Sequence, residues 1–186
     1  MTINVETTPV LPNPPLVSSS APGSFLVNLL IYNGHPFRDH WAYFVQSSKD
    51  KNLGVKIHAT GSVRDGFVFE VKRRHDMRHN EDVPAKIVPL QWVDGELFDE
   101  SAMLGDSDSE ETLDYRPVCK FERELYKVSV PGKSLVGIQD TPREDAGRRK
   151  ITQRDCQTWI VEAADQLVGD GIFRRDVADY LRAIQQ

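Results

Sequence analysis

The stretch Phe25-Leu-Val-Asn-Leu-Leu-Ile-Tyr32 is apolar at nearly every position and is followed directly by Asn33-Gly34. A short apolar run that stops at a turn dipeptide is typical of a β-strand covered on both faces. The run is far too short to cross a bilayer as a helix, which needs about 20 residues. It therefore predicts the first strand of a buried sheet.

Further strands follow this run along the chain. We expect them at His40–Val45, Gly54–Gly61, Phe67–Lys72, Ile87–Val93 and Val118–Val130. The first three are separated by short polar turns, 47–52 and 64–66, which favour hairpin connections. The pattern predicts an antiparallel sheet of about five to six strands that begins as a meander.

The C-terminal part of the chain has helical periodicity. Thr152 and Asp155 have the spacing of a capping box and predict a helix start. One apolar stripe then recurs at helical intervals, formed by Cys156, Ile160, Ala163, Ala164 and Leu167. Gly169 and Gly171 are expected to end this helix, and a second helix is expected from about Arg175, with Val177, Tyr180, Leu181 and Ile184 as its stripe. The fold class predicted is α+β, with the antiparallel sheet packed against these C-terminal helices.

Composition divides the 186 residues into an N-terminal tail and one folded domain that contains two polar segments. Residues 1–23 are rich in Thr, Pro and Ser and predict a disordered tail. Residues 24–186 are expected to form a single α+β domain. Within it, the stretch at about 96–116 is acidic and predicts a mobile surface loop, and 132–150 predicts a connection rich in Gly, Pro and charge.

The net charge of −5 argues against nucleic acid as a partner, because that interaction needs an excess of Lys and Arg. The two cysteines, Cys119 and Cys156, are too few for a disulfide scaffold, so we expect free thiols in a reducing compartment. No signal peptide and no membrane span are recognisable, and the expected location is the cytoplasm. The oligomeric state cannot be inferred from the chain.

Cys156 is the best candidate for a reactive residue. In the first turn of a helix, a thiol lies near unpaired backbone N–H groups and the positive end of the helix dipole, and both stabilise the thiolate. The competing interpretation is that Cys156 is a small buried hydrophobe on the stripe that faces the core. Cys119 has no neighbouring histidine in its predicted strand, and we interpret it as a packing residue.

A cysteine nucleophile needs a base, which is usually a histidine brought close by the fold. His40 opens the second predicted strand, and His58 lies in the third on the polar face, with Lys56 and Thr60. A single histidine on a strand is more often structural than catalytic. Two on neighbouring strands, together with a cysteine at a helix start, favour a shared site.

Three short windows carry a resemblance: His-Trp-Ala-Tyr-Phe-Val at 40–45, Lys-Ile-His at 56–58 and Asp-Cys-Gln-Thr-Trp-Ile-Val at 155–161. In this order they resemble the circularly permuted papain-like thiol enzymes, the lecithin:retinol acyltransferase and NlpC/P60-like group. The resemblance implies a permuted papain-like fold in which His40 is the general base, His58 its orienting partner and Cys156 the nucleophile. It further implies acyl transfer through a thioester, with a small-molecule, acyl or peptide substrate and no cofactor. Asp155 stands where the group has Asn, and its carboxylate is expected to oppose thiolate formation.

Other interpretations stay open at this point. His75 and His79 are four residues apart, a spacing that binds metal on a helix, but the cations around them disfavour a metal site. The first hypothesis for function is a cysteine-dependent hydrolase or acyltransferase. The alternatives are a non-catalytic binding or accessory protein, and a small-molecule isomerase or cyclase that uses the histidines for acid–base chemistry.

Overall fold

A computed structural model describes residues 12–17, 20–79, 82–106, 109–133 and 154–186. It contains one sheet with the strands β1 (Phe25–Tyr32), β2 (His40–Gln46), β3 (Leu53–Ser62), β4 (Gly66–Asp76), β5 (Lys86–Val93) and β6 (Thr112–Asp114). Their spatial order is β5-β1-β2-β3-β4-β6, and every neighbouring pair is antiparallel. The meander predicted for the segments that form β2, β3 and β4 is therefore confirmed, and β1 lies beside β2 at its start.

The helices are α1 (Glu100–Leu104), α2 (Lys120–Tyr126), α3 (Cys156–Gly169) and α4 (Arg175–Ile184), with a 3-10 turn at Gly95–Leu97. The fold class is α+β, as predicted from the sequence. The predicted stripe of α3 is buried at all five positions. Helix α3 ends at Gly169, and Gly171 has the positive φ of 70° that glycine adopts readily.

One face of the sheet packs against the helices and forms the main core. Helix α3 lies across β2 and β3. Tyr43 of β2 donates a hydrogen bond to the carbonyl of Ile160 over 2.8 Å, and the Trp159 ring meets the Tyr43 ring edge-on. These contacts hold the first half of α3 against the middle of β2.

The other face of the sheet is also covered, but its composition is mixed. Leu30, Tyr32, Ala42 and Phe44 form a small apolar cluster there. Three ionisable side chains, Lys56, His58 and His75, are buried beside it. Because alternate residues of a strand face opposite sides, Val55 and Ile57 lie on the apolar face of β3, and Lys56 and His58 lie on its buried polar face.

Two sequence-based predictions are wrong in the segment 96–130. Val118–Val130 was expected to be a strand, but it contains α2, because Phe121 and Leu125 are spaced for one helical face and both are buried there. Cys119 accordingly precedes a helix and does not lie in a strand. The acidic stretch 96–116 was expected to lack regular elements, but it contains α1 and the edge strand β6.

The start of α3 also differs from the expected one. The helix is capped by Asp155, whose partner in the capping box is Thr158. The predicted cap, Thr152, lies outside the described residues, as do most of the predicted tail 1–23 and most of the connection 132–150. Among the described residues, no helix has the length and apolar composition needed to span a membrane.

Candidate active site

The thiol of Cys156 is placed by the cap of α3. Asp155 accepts a hydrogen bond from the Thr158 backbone N–H over 3.0 Å, and the Thr158 hydroxyl accepts one from the Asp155 N–H over 3.3 Å. This reciprocal pair satisfies free N–H groups of the first turn. Cys156 is therefore the first helical residue, and its position near the helix start is as predicted.

Cys156 is 8% exposed and lies against the residue that precedes β2. Its sulfur donates a hydrogen bond to the Asp39 carbonyl oxygen over 4.0 Å. Burial raises the pKa of the Cys156 thiol, and the Asp155 carboxylate raises it further, while the N–H groups of Trp41 and Gln157 lower it. The resting sulfur is therefore a thiol, and the expected opposition of Asp155 to thiolate formation is present.

The two histidines lie in one hydrogen-bonded chain. His40 Nε2 is 2.7 Å from His58 Nδ1, and His58 Nε2 is 3.0 Å from Glu70 Oε1. The three residues come from the neighbouring strands β2, β3 and β4, and His58 pairs with Glu70 in the sheet register. The predicted partnership of His40 and His58 is thus a direct contact, and Glu70 extends it.

The chemistry of Glu70 assigns the tautomers of both rings. A carboxylate only accepts hydrogen bonds, so His58 Nε2 must donate to Glu70. His58 Nδ1 then accepts, and His40 Nε2 donates to it. His40 Nδ1 is left with a lone pair, so this nitrogen is the one that can accept a proton in the hydrogen-bonded series.

Both rings are uncharged near neutral pH. Burial lowers the pKa of His40 to about 4, and the positive charge of Lys56 contributes to this shift. Burial also holds the pKa of His58 well below its usual range, again with a contribution from Lys56. A neutral imidazole is the form that can accept a proton.

A cavity of about 870 Å³ contains both candidate groups, since His40 and Cys156 lie in its wall. Pro36, Phe37, Val63 and Phe67 supply apolar wall, and Arg38, Asp39, Asp155 and Gln186 supply polar wall. Phe37 is 84% exposed at this site, an unusual position for a large aromatic side chain. The cavity is large enough for a small-molecule substrate.

Polar contacts fix the wall around the sulfur. Arg38 donates a hydrogen bond to the Asp155 carboxylate over 3.0 Å. The Gln157 side-chain amide donates to the Asp39 carbonyl over 2.8 Å and to Gln186 Oε1 over 3.1 Å. The carbonyl that accepts from the thiol is therefore held by a buried amide.

The structure brings Cys156 and His40 to one cavity, and the sulfur contacts the backbone of the residue directly before His40. Within the described residues, no hydrogen bond joins the sulfur to the imidazole. The direct contact between these two groups stays a prediction.

Glu70 was missed by the sequence analysis, although the chain contains a signal for it. The predicted turn 64–66 determines which residues of β3 and β4 face each other, and the observed register pairs Ser62 with Gly66 and His58 with Glu70. Counting outward from that turn finds a carboxylate opposite the histidine.

His75 and His79 do not share a helical face. His75 is buried in β4 with Nδ1 2.6 Å from Glu111, while the His79 side chain is 80% exposed and contacts Asp76. Among the described residues, no group of three or more His, Cys, Asp or Glu side chains could hold a metal ion.

Comparison with known proteins adds one finding. No curated protein and no solved structure matches the chain significantly. A family model does match, over residues 27–174, a span that contains β1 from its third residue onward, the whole of β2 to β6, and His40, His58, Glu70 and Cys156. The chain therefore belongs to DUF6540, a family of unknown function.

Proposed function

We propose that this protein is a cysteine-dependent hydrolase or acyltransferase that acts through a thioester intermediate. One observation carries the proposal. The hydrogen bonds from His40 to His58 and from His58 to Glu70 leave His40 Nδ1 as a base. His40 lines the same cavity as Cys156, which lies at a helix start. A nucleophile, a base and a group that orients the base are the parts that covalent acyl transfer needs.

In the first half of the reaction, Cys156 Sγ attacks the substrate carbonyl carbon as its proton passes to His40 Nδ1. The C=O electron pair moves to oxygen, and the backbone N–H groups at the start of α3 stabilise the oxyanion. When the oxyanion collapses, the bond from carbon to the leaving group breaks. The leaving group takes the proton from His40, and the acyl group remains on sulfur as a thioester.

In the second half, water or an acceptor nucleophile attacks the thioester and gives its proton to His40. The C–S bond then breaks, and the sulfur recovers the proton. Water yields an acid and defines a hydrolase, whereas an amine or alcohol yields a transferred acyl group.

The charge state of the site fits this cycle. Both the thiol and the imidazole are neutral at rest, so proton transfer takes place as the C–S bond forms. His58 and Glu70 hold the protonated His40 in position, because the Glu70 carboxylate attracts the positive charge through His58.

The resemblance to the permuted papain-like thiol enzymes supports the same assignment of roles. The order His40, His58, Cys156 along the chain matches the group, and the hydrogen bond between the two imidazoles is the contact that the resemblance implies. We also propose the cytoplasm as the location, since both cysteines are free thiols, as a reducing compartment requires.

The test is acyl-enzyme trapping. The full chain is mixed with p-nitrophenyl acetate, quenched in acid within the first turnover, and analysed by intact mass and peptide mapping. We expect one acetyl group on Cys156, lost in Cys156→Ala and kept in Cys119→Ala. Acetylation of both cysteines at similar rates, or of neither, contradicts the proposal.

One observation favours a second candidate. The thiol donates to the Asp39 carbonyl and not to the imidazole, which suits an isomerase or cyclase in which His40 alone moves protons. For that class, turnover survives Cys156→Ala and is lost in His40→Ala. The thioester mechanism predicts loss in both variants.

A further inference from the structure

Burial of the Lys56 ammonium lowers the stability of the fold, because the charge is removed from water. Its side chain is 1% exposed, and its ammonium lies 4.1 Å from the centroid of the Tyr32 ring. Its ion-pair partner is Asp82, at 3.2 Å, which is itself 56% exposed. A methionine would fill the same space without removing a charge from water, so packing alone does not explain a lysine here.

The position of Lys56 places this charge next to the two histidines. Lys56 and His58 are two apart on β3 and therefore lie on one face of the sheet. Tyr32, which carries the ammonium over its ring, also stacks near His40, with 6.0 Å between the ring centroids. The lysine thus adjoins His58 along the strand and His40 through the shared tyrosine.

We propose that Lys56 is a positioning residue of the candidate site, whose buried ammonium keeps the His40–His58 pair uncharged so that His40 rests as a base. This inference deepens the proposed function and rests on it for its purpose. A positive charge in a medium of low dielectric constant disfavours a second one nearby. Burial is the largest cause of the lowered pKa of His40 and of His58, and the charge of Lys56 lowers both in the same direction.

Other charged or titratable groups face this pair from the elements around it. They are Tyr32 of β1, Glu70, Lys72 and His75 of β4, Asp82, and Glu111 before β6. Lys72 acts in the same direction as Lys56, while Asp82 raises the pKa of His40. Because Lys72 is 22% exposed and Lys56 is 1% exposed, water screens the charge of Lys72 more.

The experiment is a titration of the histidine rings by NMR, in the full chain with labelled histidine. His40 and His58 are assigned by single replacements. In Lys56→Met we expect the titration midpoint of His40 to rise by about one pH unit, a tenfold gain in proton affinity. Lys56→Arg keeps the charge and is expected to leave the midpoint nearly unchanged.

Lys72→Met is the matched control and is expected to shift the midpoint in the same direction by a smaller amount. An unchanged His40 midpoint in Lys56→Met, or an equal rise in Lys56→Arg, overturns the inference. If Lys56→Met does not fold, Lys56→Gln, which removes the charge but keeps a polar side chain, takes its place, and an unchanged His40 midpoint in that variant overturns the inference.

The titration needs no turnover, so its outcome is independent of the proposed function. If no acyl-enzyme forms but the midpoints shift as expected, the lysine sets the charge of the pair and the thioester mechanism is wrong. If acylation occurs and the midpoints do not move, the mechanism stands and Lys56 has no such role.

Discussion

The two cysteines of this protein both lie at helix starts, yet their surroundings differ. Cys119 is the N-cap residue of α2, is 3% exposed, and packs in the main core. Cys156 is the first residue of α3 and lines a cavity of about 870 Å³ together with His40. We therefore expect access from the cavity and the imidazole that shares it, and not the helix start alone, to distinguish the reactivity of the two thiols.

Their pKa values alone do not separate them in kind. Burial and Glu122 raise the pKa of Cys119 to about 11, and burial and Asp155 also raise that of Cys156. We expect the two thiols to differ in what a reagent can reach and in where the proton can go.

The largest effect is expected in the rates of alkylation of the two thiols. Cys119 reacts only when the core opens, so at neutral pH we expect iodoacetamide to modify Cys156 about 1,000-fold faster. Peptide mapping over time measures both rates in one sample, and urea-unfolded protein is the control in which they converge. Equal alkylation rates of Cys119 and Cys156 in the folded protein would show that the two thiols do not differ in access.

Removal of the base is expected to have the next largest effect. His40→Asn keeps a hydrogen-bonding side chain but removes the lone pair at Nδ1, and should lower kcat/KM for p-nitrophenyl acetate about 100-fold. The midpoint of urea unfolding shows whether the variant is still folded. Activity within twofold of the parent chain would exclude His40 as the base.

The site around Cys156 is also expected to make the fold sensitive to acid. The pKa of His40 is about 4 in the folded chain and near 6.5 when unfolded, so unfolding takes up a proton between these pH values. Stability from this group is complete above about pH 6.5 and is lost as the pH falls towards 4. The loss should be about 2 to 3 kcal/mol.

Urea unfolding at pH 7.0 and pH 4.5 measures this loss, and His40→Asn should reduce it. The same group sets the acid limb of kcat/KM, which we expect near pH 4 and not near 6.5, because the base works only when neutral. A limb near 6.5 would mean that His40 titrates as an ordinary exposed imidazole.

Replacement of Glu70, the carboxylate at the end of the hydrogen-bonded series His40–His58–Glu70, should have a moderate effect. Glu70→Gln keeps an oxygen that can accept from His58 but removes the charge that stabilises protonated His40, and should lower kcat about tenfold. Glu70→Asp, which keeps the charge on a shorter side chain, is the matched control. A loss that is equal in both variants would indicate a packing role.

The smallest effect is expected at the cap. Asp155→Asn retains a good N-cap residue and removes the carboxylate that opposes thiolate formation, so alkylation of Cys156 at pH 7 should be about two- to fivefold faster. The rate at Cys119 should not change, because the substitution lies on another helix. Slower alkylation of Cys156 would show that the contact with Arg38 matters more than the charge.

The sequence by itself determined most of the sheet and the two C-terminal helices. In each of these elements the apolar residues recur with the period of the element that buries them. This holds for the alternation in β3 and the stripe of α3, and β1 is apolar at nearly every position because both of its faces are covered. It failed at 118–130, where too few apolar residues alternate to separate strand from helix and only contact with the core selects the helix. It also misplaced the cap of α3, which is Asp155 with Thr158 as its capping-box partner, because several polar residues near a helix start have spacings that suit a cap.

Some parts of the candidate site could likewise be predicted from the sequence, and others could not. Cys156, His40 and His58 were identifiable as candidates because residue type limits the chemistry of each, and Cys156 and His40 also lie at the start of an element. Glu70 could have been found by counting outward from the turn at 64–66, but the cavity and the burial of Lys56 were decided by the tertiary structure, because they depend on which distant segments pack together. Proximity across the chain is a property of packing, and packing is cooperative, whereas the periods read from sequence are local.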